Sequence, residues 1–287
     1  MKLITAADIK LRKRERYARK GDNGKILVIA GSIDYIGAAY LAGMAAFRSG
    51  ADLVVVAAPE KVAWALNCLS PDIITRKFKG DFFTSESAAK IAEMSKSSDV
   101  AAIGNGIGRT PETRKFARTV CTMIKGFKVI DADAIRAVRL QQLGNAILTP
   151  HMGEYEALMR NSDCSGKLED VQNIIGNNVI LAKGYPYGKR RVNAIIAKEK
   201  IAYVPLGNPG MTVGGTGDVL AGLVAGLLAQ EKDLFKAAAA AVYANGKAAD
   251  QLLKKYGYGF TASDLVEKLP AVLKQLVGNR LNRLGTA

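Results

Sequence analysis

The residues best suited to do chemistry lie in one short stretch. Residues 207 to 230 read GNPGMTVGGTGDVLAGLVAGLLAQ, so Gly207, Gly210, Gly214, Gly215 and Gly217 precede a single carboxylate, Asp218, and an almost uncharged helix-like run follows. A helix starting near Gly217 or Asp218 leaves its first backbone N–H groups unpaired and points the positive end of its dipole outward, a combination that binds phosphate oxygens. Gly214, Gly215 and Gly217 carry no Cβ to block approach and permit positive φ. An anion at such a turn weakens plain binding. It is, however, what phosphoryl transfer needs from a general base, because a carboxylate can accept a hydroxyl proton as the phosphoryl group arrives. The same residues also admit a second reading, in which Asp218 only complements the helix dipole.

Such a turn has to be held by a scaffold, and the rest of the chain supplies one. Short β-branched runs recur at residues 25–32, 52–59, 99–106, 127–133, 145–151 and 178–184, separated by helix-like stretches. That alternation predicts a mostly parallel sheet covered on both faces, and the lack of polar alternation makes these strands central. Residues 190 to 206, RRVNAIIAKEKIAYVPL, change the pattern to two strand-like runs joined at Lys198 to Lys200, an antiparallel hairpin at the sheet edge. With no internal repeat, low-complexity tract or Pro/Ser linker to divide it, the whole chain, residues 1–287, is expected to form one domain.

Composition narrows the function classes. A chain that is 49% hydrophobic and 23% charged is globular rather than disordered. Cys68, Cys121 and Cys164 are widely spaced and the chain has one histidine, which argues against a Cys/His zinc site and fits a reduced cytoplasm. Apolar runs fall short of the roughly 18 residues of a membrane span. The net charge of +15 is spread along the chain without interleaved aromatics, which argues against nucleic acid; the densest cluster, Lys10 to Lys20, reads as an exposed helix face or a phosphate-side rim.

In a parallel sheet, ligands bind beyond the carboxyl ends of the strands. The segments there are GSIDYIGAAY, NGIGRT, DAD, TPHMGE, KGYPYG and the glycine-rich turn, so glycines, an imidazole, a lysine and carboxylates share one predicted rim. Lys183 ends a buried strand, where an unpaired ammonium is costly, so a phosphate is its expected partner. GxxxxGK[ST] does not occur, and GNGIG lacks the full GxGxxG spacing, so neither a P-loop nor a first-strand dinucleotide turn is expected.

Over nearly its whole length the chain resembles the ADP/ATP-dependent NAD(P)H-hydrate dehydratases of the ribokinase-like superfamily. The resemblance rests on the glycine-rich stretch, on residues 20 to 59 (KGDNGKILVIAGSIDYIGAAYLAGMAAFRSGADLVVVAAP), and on VIDADAI, ILTPHMGEYEAL and ILAKG. NPGM together with TPHxGE separates this family from its superfamily. The resemblance implies a three-layer α/β/α fold and a nucleotide-driven dehydration that returns hydrated NADH or NADPH to the working cofactor. In that scheme Asp218 is the base and Gly215, Thr216 and Gly217 form the anion hole. Lys183, Gly184, Tyr185, Pro186, Tyr187, Asn208, Gly210, Met211 and Gly217 bind the nucleotide, and Ala38, Gly106, His151 and Asp218 take the hydrate. Asp131 and Glu154 are second-tier candidates, as is Asp133. It further implies ADP or ATP as phosphoryl donor with ADP preferred, Mg²⁺ on the phosphates with unassigned protein ligands, and a cytoplasmic homo-oligomer that lacks the N-terminal epimerase domain of many members, so that it either stands alone or has a separate epimerase as partner.

The chain departs from the family pattern at three places. Asn105 and Met152 stand where prolines are usual, which is expected to loosen both turns, and GYPYGKRR after Lys183 is longer and more basic. His151 could instead cap the following helix, and Ala38 could serve only close helix packing. Two other functions remain: a ribokinase-like kinase of a vitamin precursor such as a hydroxyethylthiazole or hydroxymethylpyrimidine, and a non-catalytic basic protein that binds nucleotide or nucleic acid.

Overall fold

The structure, a computed structural model, describes residues 2–284, with side chains described as far as Val277. Its strands are β1 (Lys2–Leu3), β2 (Lys25–Ile29), β3 (Leu53–Pro59), β4 (Ile74–Phe78), β5 (Val100–Ile103), β6 (Phe127–Ile130), β7 (Ala146–Leu148), β8 (Val179–Tyr187), β9 (Arg190–Ala197) and β10 (Lys200–Val204). Among the described residues they form one sheet in the order β1-β10-β9-β8-β7-β6-β5-β2-β3-β4. Every pairing is parallel except those of β9 with β8 and β10. The expected hairpin is therefore present, with β1 added outside it.

Alternate side chains along the strands feed two cores. Val28, Val54 and Val56 face α1 (Ile36–Arg48), α2 (Glu60–Leu69), α7 (Thr216–Glu231), α8 (Leu234–Tyr256) and α9 (Ala262–Leu284). Leu27, Ile29 and Ile103 face α3 (Ser87–Ser95), α4 (Pro111–Met123), α5 (Met152–Asn161) and α6 (Leu168–Ile174). Two helical layers thus enclose the sheet, a three-layer α/β/α architecture with a period-2 division of side chains. The uncharged run that follows Asp218 is now explained: α7 is buried along almost its whole length and crosses α1 at close range. A Cβ at Gly222 would lie 2.1 Å from the Ala42 carbonyl oxygen, so this crossing tolerates only glycine.

The chain leaves β2 toward β3 on one side and later returns to β5 on the other, so the topology reverses between β2 and β5. At such a reversal the loops beyond the strand ends diverge and open a crevice. Here the loops after β2 and β5 are pinned together by the Gly31 N–H donating to Asn105 O at 2.8 Å. The basic segment from Lys10 to Lys20 forms no helix and is not part of this rim. It lies at the opposite pole, where Arg14 pairs with Asp52 just before β3, and Arg12, Lys13 and Lys232 line a cavity of about 390 Å³ with Asp99. Tight turns, with Gly21 at φ +102°, and backbone bonds to Asp52 hold it there in place of a helix.

Candidate active site

Helix α7 aims its N-terminus into the crevice. Gly215 caps it at φ +93°, a left-handed conformation that also leaves no room for a Cβ, which would meet Leu41 at 2.5 Å. The first-turn N–H groups of Thr216, Gly217 and Asp218 have no acceptor within the helix. Thr216 Oγ1 donates to Met211 O at 2.7 Å and so ties the helix start to the short 3₁₀ turn Pro209–Thr212. Asn208 steadies that turn from both sides: its Oδ1 accepts from Gly210 N, and its Nδ2 donates to Asp250 at 2.9 Å.

Asp218 projects from the first turn toward the sheet end. Its Oδ1 accepts a 2.7 Å hydrogen bond from Asn105 Nδ2. The same amide nitrogen donates to Asp131 Oδ2 at 2.9 Å, so one side chain bridges two carboxylates. Asp131 Oδ1 accepts from Thr149 Oγ1 at 2.7 Å and from Lys183 Nζ at 3.2 Å. Burial, followed by the negative charge of Asp131, pushes the Asp218 carboxyl up to about 6, against the opposing pull of Asn105 and Lys183. A carboxylate of that kind is still ionised at neutral pH and is basic enough to accept a hydroxyl proton. A plain helix cap needs neither this burial nor a second carboxylate beside it.

The structure brings most of the sequence-predicted residues together in two lobes around this centre. Lys183, Gly184, Asn208, Met211, Thr216 and Gly217 line a cavity of about 520 Å³ on the α7–α8 side. Gly210 is buried behind it against Phe260. On the other side, Ala38 and Gly106 touch across the crevice: a Cβ on Gly106 would lie 2.8 Å from that of Ala38. His151 follows β7, bridges in parallel to Lys183 and is half exposed. Its Nδ1 accepts from Gly153 N and Glu154 N while Glu154 Oε2 accepts from His151 N, a reciprocal capping box. The cap alternative for His151 is therefore realised, and its Nε2 lies 3.1 Å from Glu154 Oε1. Burial raises the Glu154 carboxyl, Lys183 opposes this and Asp131 reinforces it. Asp133 is held by Arg109 Nε at 2.6 Å and by Gly108 N.

Three expected nucleotide contacts fall elsewhere. Tyr185 and Pro186 line a separate cavity of about 340 Å³ with Met152, Tyr155 and Met159, and the Tyr187 ring packs on Tyr203 at 4.7 Å. A bulge between Ala182 and Tyr185 resets the strand's alternation and turns these rings toward the α5 layer. The two turns expected to be loose are firm. The capping box fixes Met152 at the start of α5, and Asn105 is fully buried and doubly bonded. Sequence reasoning noted Asn105 only as a missing proline and did not single out Thr149; a polar residue between two glycines at the end of a buried strand was the available signal. Among the described residues no group of three or more His, Cys, Asp or Glu side chains is placed to hold a metal ion.

A reversal-point crevice, a glycine-capped helix N-terminus and an adjacent carboxylate in a three-layer α/β/α frame define a ribokinase-like protein. Comparison sharpens this: the NAD(P)H-hydrate dehydratase family model matches residues 26–271, and the chain belongs to that family. It is 37% identical over 265 residues to the bifunctional NAD(P)H-hydrate repair enzyme Nnr of Pyrobaculum aerophilum, covering 91% of this chain and 53% of that protein. The chain thus spans about half the length of such bifunctional relatives. It is 35% identical over 270 residues to the ADP-dependent (S)-NAD(P)H-hydrate dehydratase of Cenarchaeum symbiosum, covering 91% of this chain and 92% of that one. The Bacillus subtilis ADP/ATP-dependent NAD(P)H-hydrate dehydratase, co-crystallised with ATP/Mg²⁺, superposes with a TM-score of 0.79 at 26% identity, covering 96% and 98% of the two chains.

Proposed function

We propose that this chain is a nucleotide-dependent NAD(P)H-hydrate dehydratase, acting as one catalytic domain. The observation that carries the reading is Asp218, a buried carboxylate with a raised pKa at the mouth of a helix N-terminus. The hydrate's ring hydroxyl gives its proton to Asp218 as its oxygen attacks the terminal phosphoryl group of ADP or ATP, and the shortened nucleotide departs. The backbone N–H groups of Gly215, Thr216 and Gly217 stabilise the charge on the moving group. The C–O bond then breaks with release of phosphate, and loss of a proton from the adjacent ring carbon restores the double bond. Lys183 holds the nucleotide phosphates together with the Asn208–Met211 turn, while Ala38, Gly106 and His151 border the hydrate.

ADP is the preferred donor, in keeping with the name of the Cenarchaeum symbiosum relative. Mg²⁺ would enter on the phosphate oxygens, since the described side chains offer no cage of their own, and it would neutralise phosphate charge there. The enzyme is proposed to work in the cytoplasm as a homo-oligomer and to receive hydrate from an epimerase; no helix among the described residues is long and apolar enough to cross a membrane. The decisive experiment supplies the hydrate with ADP or ATP and follows both the regained absorbance of reduced nicotinamide and free phosphate. One phosphate per cofactor regained supports dehydration. Accumulation of a stable phosphorylated small molecule would show a vitamin-precursor kinase instead.

A further inference from the structure

One side chain, Asn105, bridges the two carboxylates. Asn105 is fully buried, and its backbone leaves it no freedom: its carbonyl accepts from Gly31 N, and the flanking Gly104 N donates to Ile29 O at 3.1 Å. Its amide nitrogen spends its two hydrogens on Asp131 Oδ2 and Asp218 Oδ1. The opposite rotamer would turn a carbonyl oxygen toward two carboxylates, so the amide can sit only one way. Asn105 Oδ1 is left buried without a partner. Asp131 cannot yield either, because Thr149 and Lys183 occupy its other oxygen.

We propose that Asn105 is the positioning residue of the general base: it clamps Asp218 Oδ1 so that Oδ2 alone faces the substrate hydroxyl. The proposal rests on the dehydratase reading for the identity of the substrate, but the clamp itself is a property of the protein alone. Without the amide, burial and the repulsion of Asp131 and Asp133 act on Asp218 with only Lys183 opposing them. Glu154, His151 and Arg109 stand one contact further out, on Asp131, Lys183 and Asp133. A donor to an ionised group stabilises that form, so its removal raises the pKa at which Asp218 can act as a base. Asn105 does not line the nucleotide cavity, so the effect belongs to proton transfer rather than to donor binding.

Asn105→Leu fills the site without donors, and Asn105→Asp keeps the shape while replacing the donor with a third carboxylate. In both, the acid limb of the kcat–pH profile is expected to rise by about one pH unit or more, with kcat at pH 7 down about twofold or more and largely restored at higher pH. The KM for nucleotide stays near wild type. Asp131→Asn removes the repelling charge and moves the same limb down. A ¹³C-carboxyl titration, with the Asp218 signal assigned through Asp218→Asn, reads the same shift without substrate. It therefore judges the clamp even if the wild-type protein fails to dehydrate the hydrate, an outcome that would sink only the functional reading. A folded Asn105→Leu or Asn105→Asp protein with an unmoved Asp218 titration overturns the proposal, as does a kcat loss equal at every pH.

Discussion

Asp52 and Asp218 sit at opposite poles of one sheet, and both are carboxylates drawn out of water. Burial opposes ionisation of Asp52, yet hydrogen bonds from Asn23 and Gly21 and the charge of Arg14 outweigh it and hold the group below the usual carboxylate range. Burial opposes ionisation of Asp218 too, but here Asp131 adds repulsion and the opposing Asn105 and Lys183 do not offset the two. The difference is in the number of donors: Asp52 receives two backbone N–H groups, the Asn23 amide and the Arg14 guanidinium. Asp218 receives one amide hydrogen, and its second oxygen accepts none among the described residues. A carboxylate that ties loops together is saturated with donors. Asp218, the proposed base, has a single donor.

Asp218→Asn tests that contrast most severely. If Asp218 is the base, kcat falls by about a hundredfold or more, the usual scale for general base catalysis, with nucleotide binding little changed. The protein should also become more stable at pH 7 to 8. The sign follows from linkage: a folded-state pKa of about 6 against 3.8 unfolded gives a contribution that is present below pH 3.8 and lost as pH rises through 6. The loss amounts to roughly 1–3 kcal/mol, and asparagine avoids it. Near-normal turnover in the folded variant would make Asp218 a cap and end the comparison. Next in size is the wild-type pH profile, in which kcat should fall about tenfold per unit below pH 6 and level off above it.

The central strands and the carboxylate of the candidate site were legible in the sequence because each is a local pattern: β-branched runs between glycines, and a carboxylate at the end of a glycine-rich turn. Strand β4 was not, since Ile74–Phe78 reads ITRKF and carries the charges of an edge strand. Nor could the donor count around Asp218 be read. Asn105 lies 113 residues away from it along the chain, and only the fold brings the loop after β5 against the start of α7. The tyrosines after Lys183 were assigned to the nucleotide by resemblance alone, and resemblance carries no sign of the bulge between Ala182 and Tyr185 that resets which side these rings face.

Lys183→Ala gives a smaller and two-part effect. Loss of its charge should raise the KM for nucleotide about tenfold, the scale of a charge-assisted hydrogen bond. Lys183 is bonded to Asp131 at 3.2 Å as well, so the variant also strips that carboxylate of its cation and should lift the acid limb of kcat. A changed KM with an unmoved limb would separate phosphate binding from the carboxylate network. If neither changes in a folded variant, Lys183 is removed from the site.

Asp52→Asn is expected to leave catalysis untouched. Asparagine offers one acceptor oxygen; kept on the N–H donors of Gly21 and Asn23, it turns its NH₂ group toward the Arg14 guanidinium, so the ion pair is lost and at least one donor faces another. The expected loss is about 2–3 kcal/mol of stability at neutral pH, read as a lower melting temperature. Its pH dependence runs opposite to that of Asp218. A folded-state pKa below the unfolded value gives stability that is present above the ordinary carboxylate range and lost as pH falls through the lowered pKa, so wild type and variant should converge in acid. Measured together, the two Asp→Asn proteins should shift melting temperature in opposite directions at pH 7.5, with kcat lost in only one. Equal kcat losses, or a stabilised Asp52→Asn, would mean that donor count does not separate the two carboxylates.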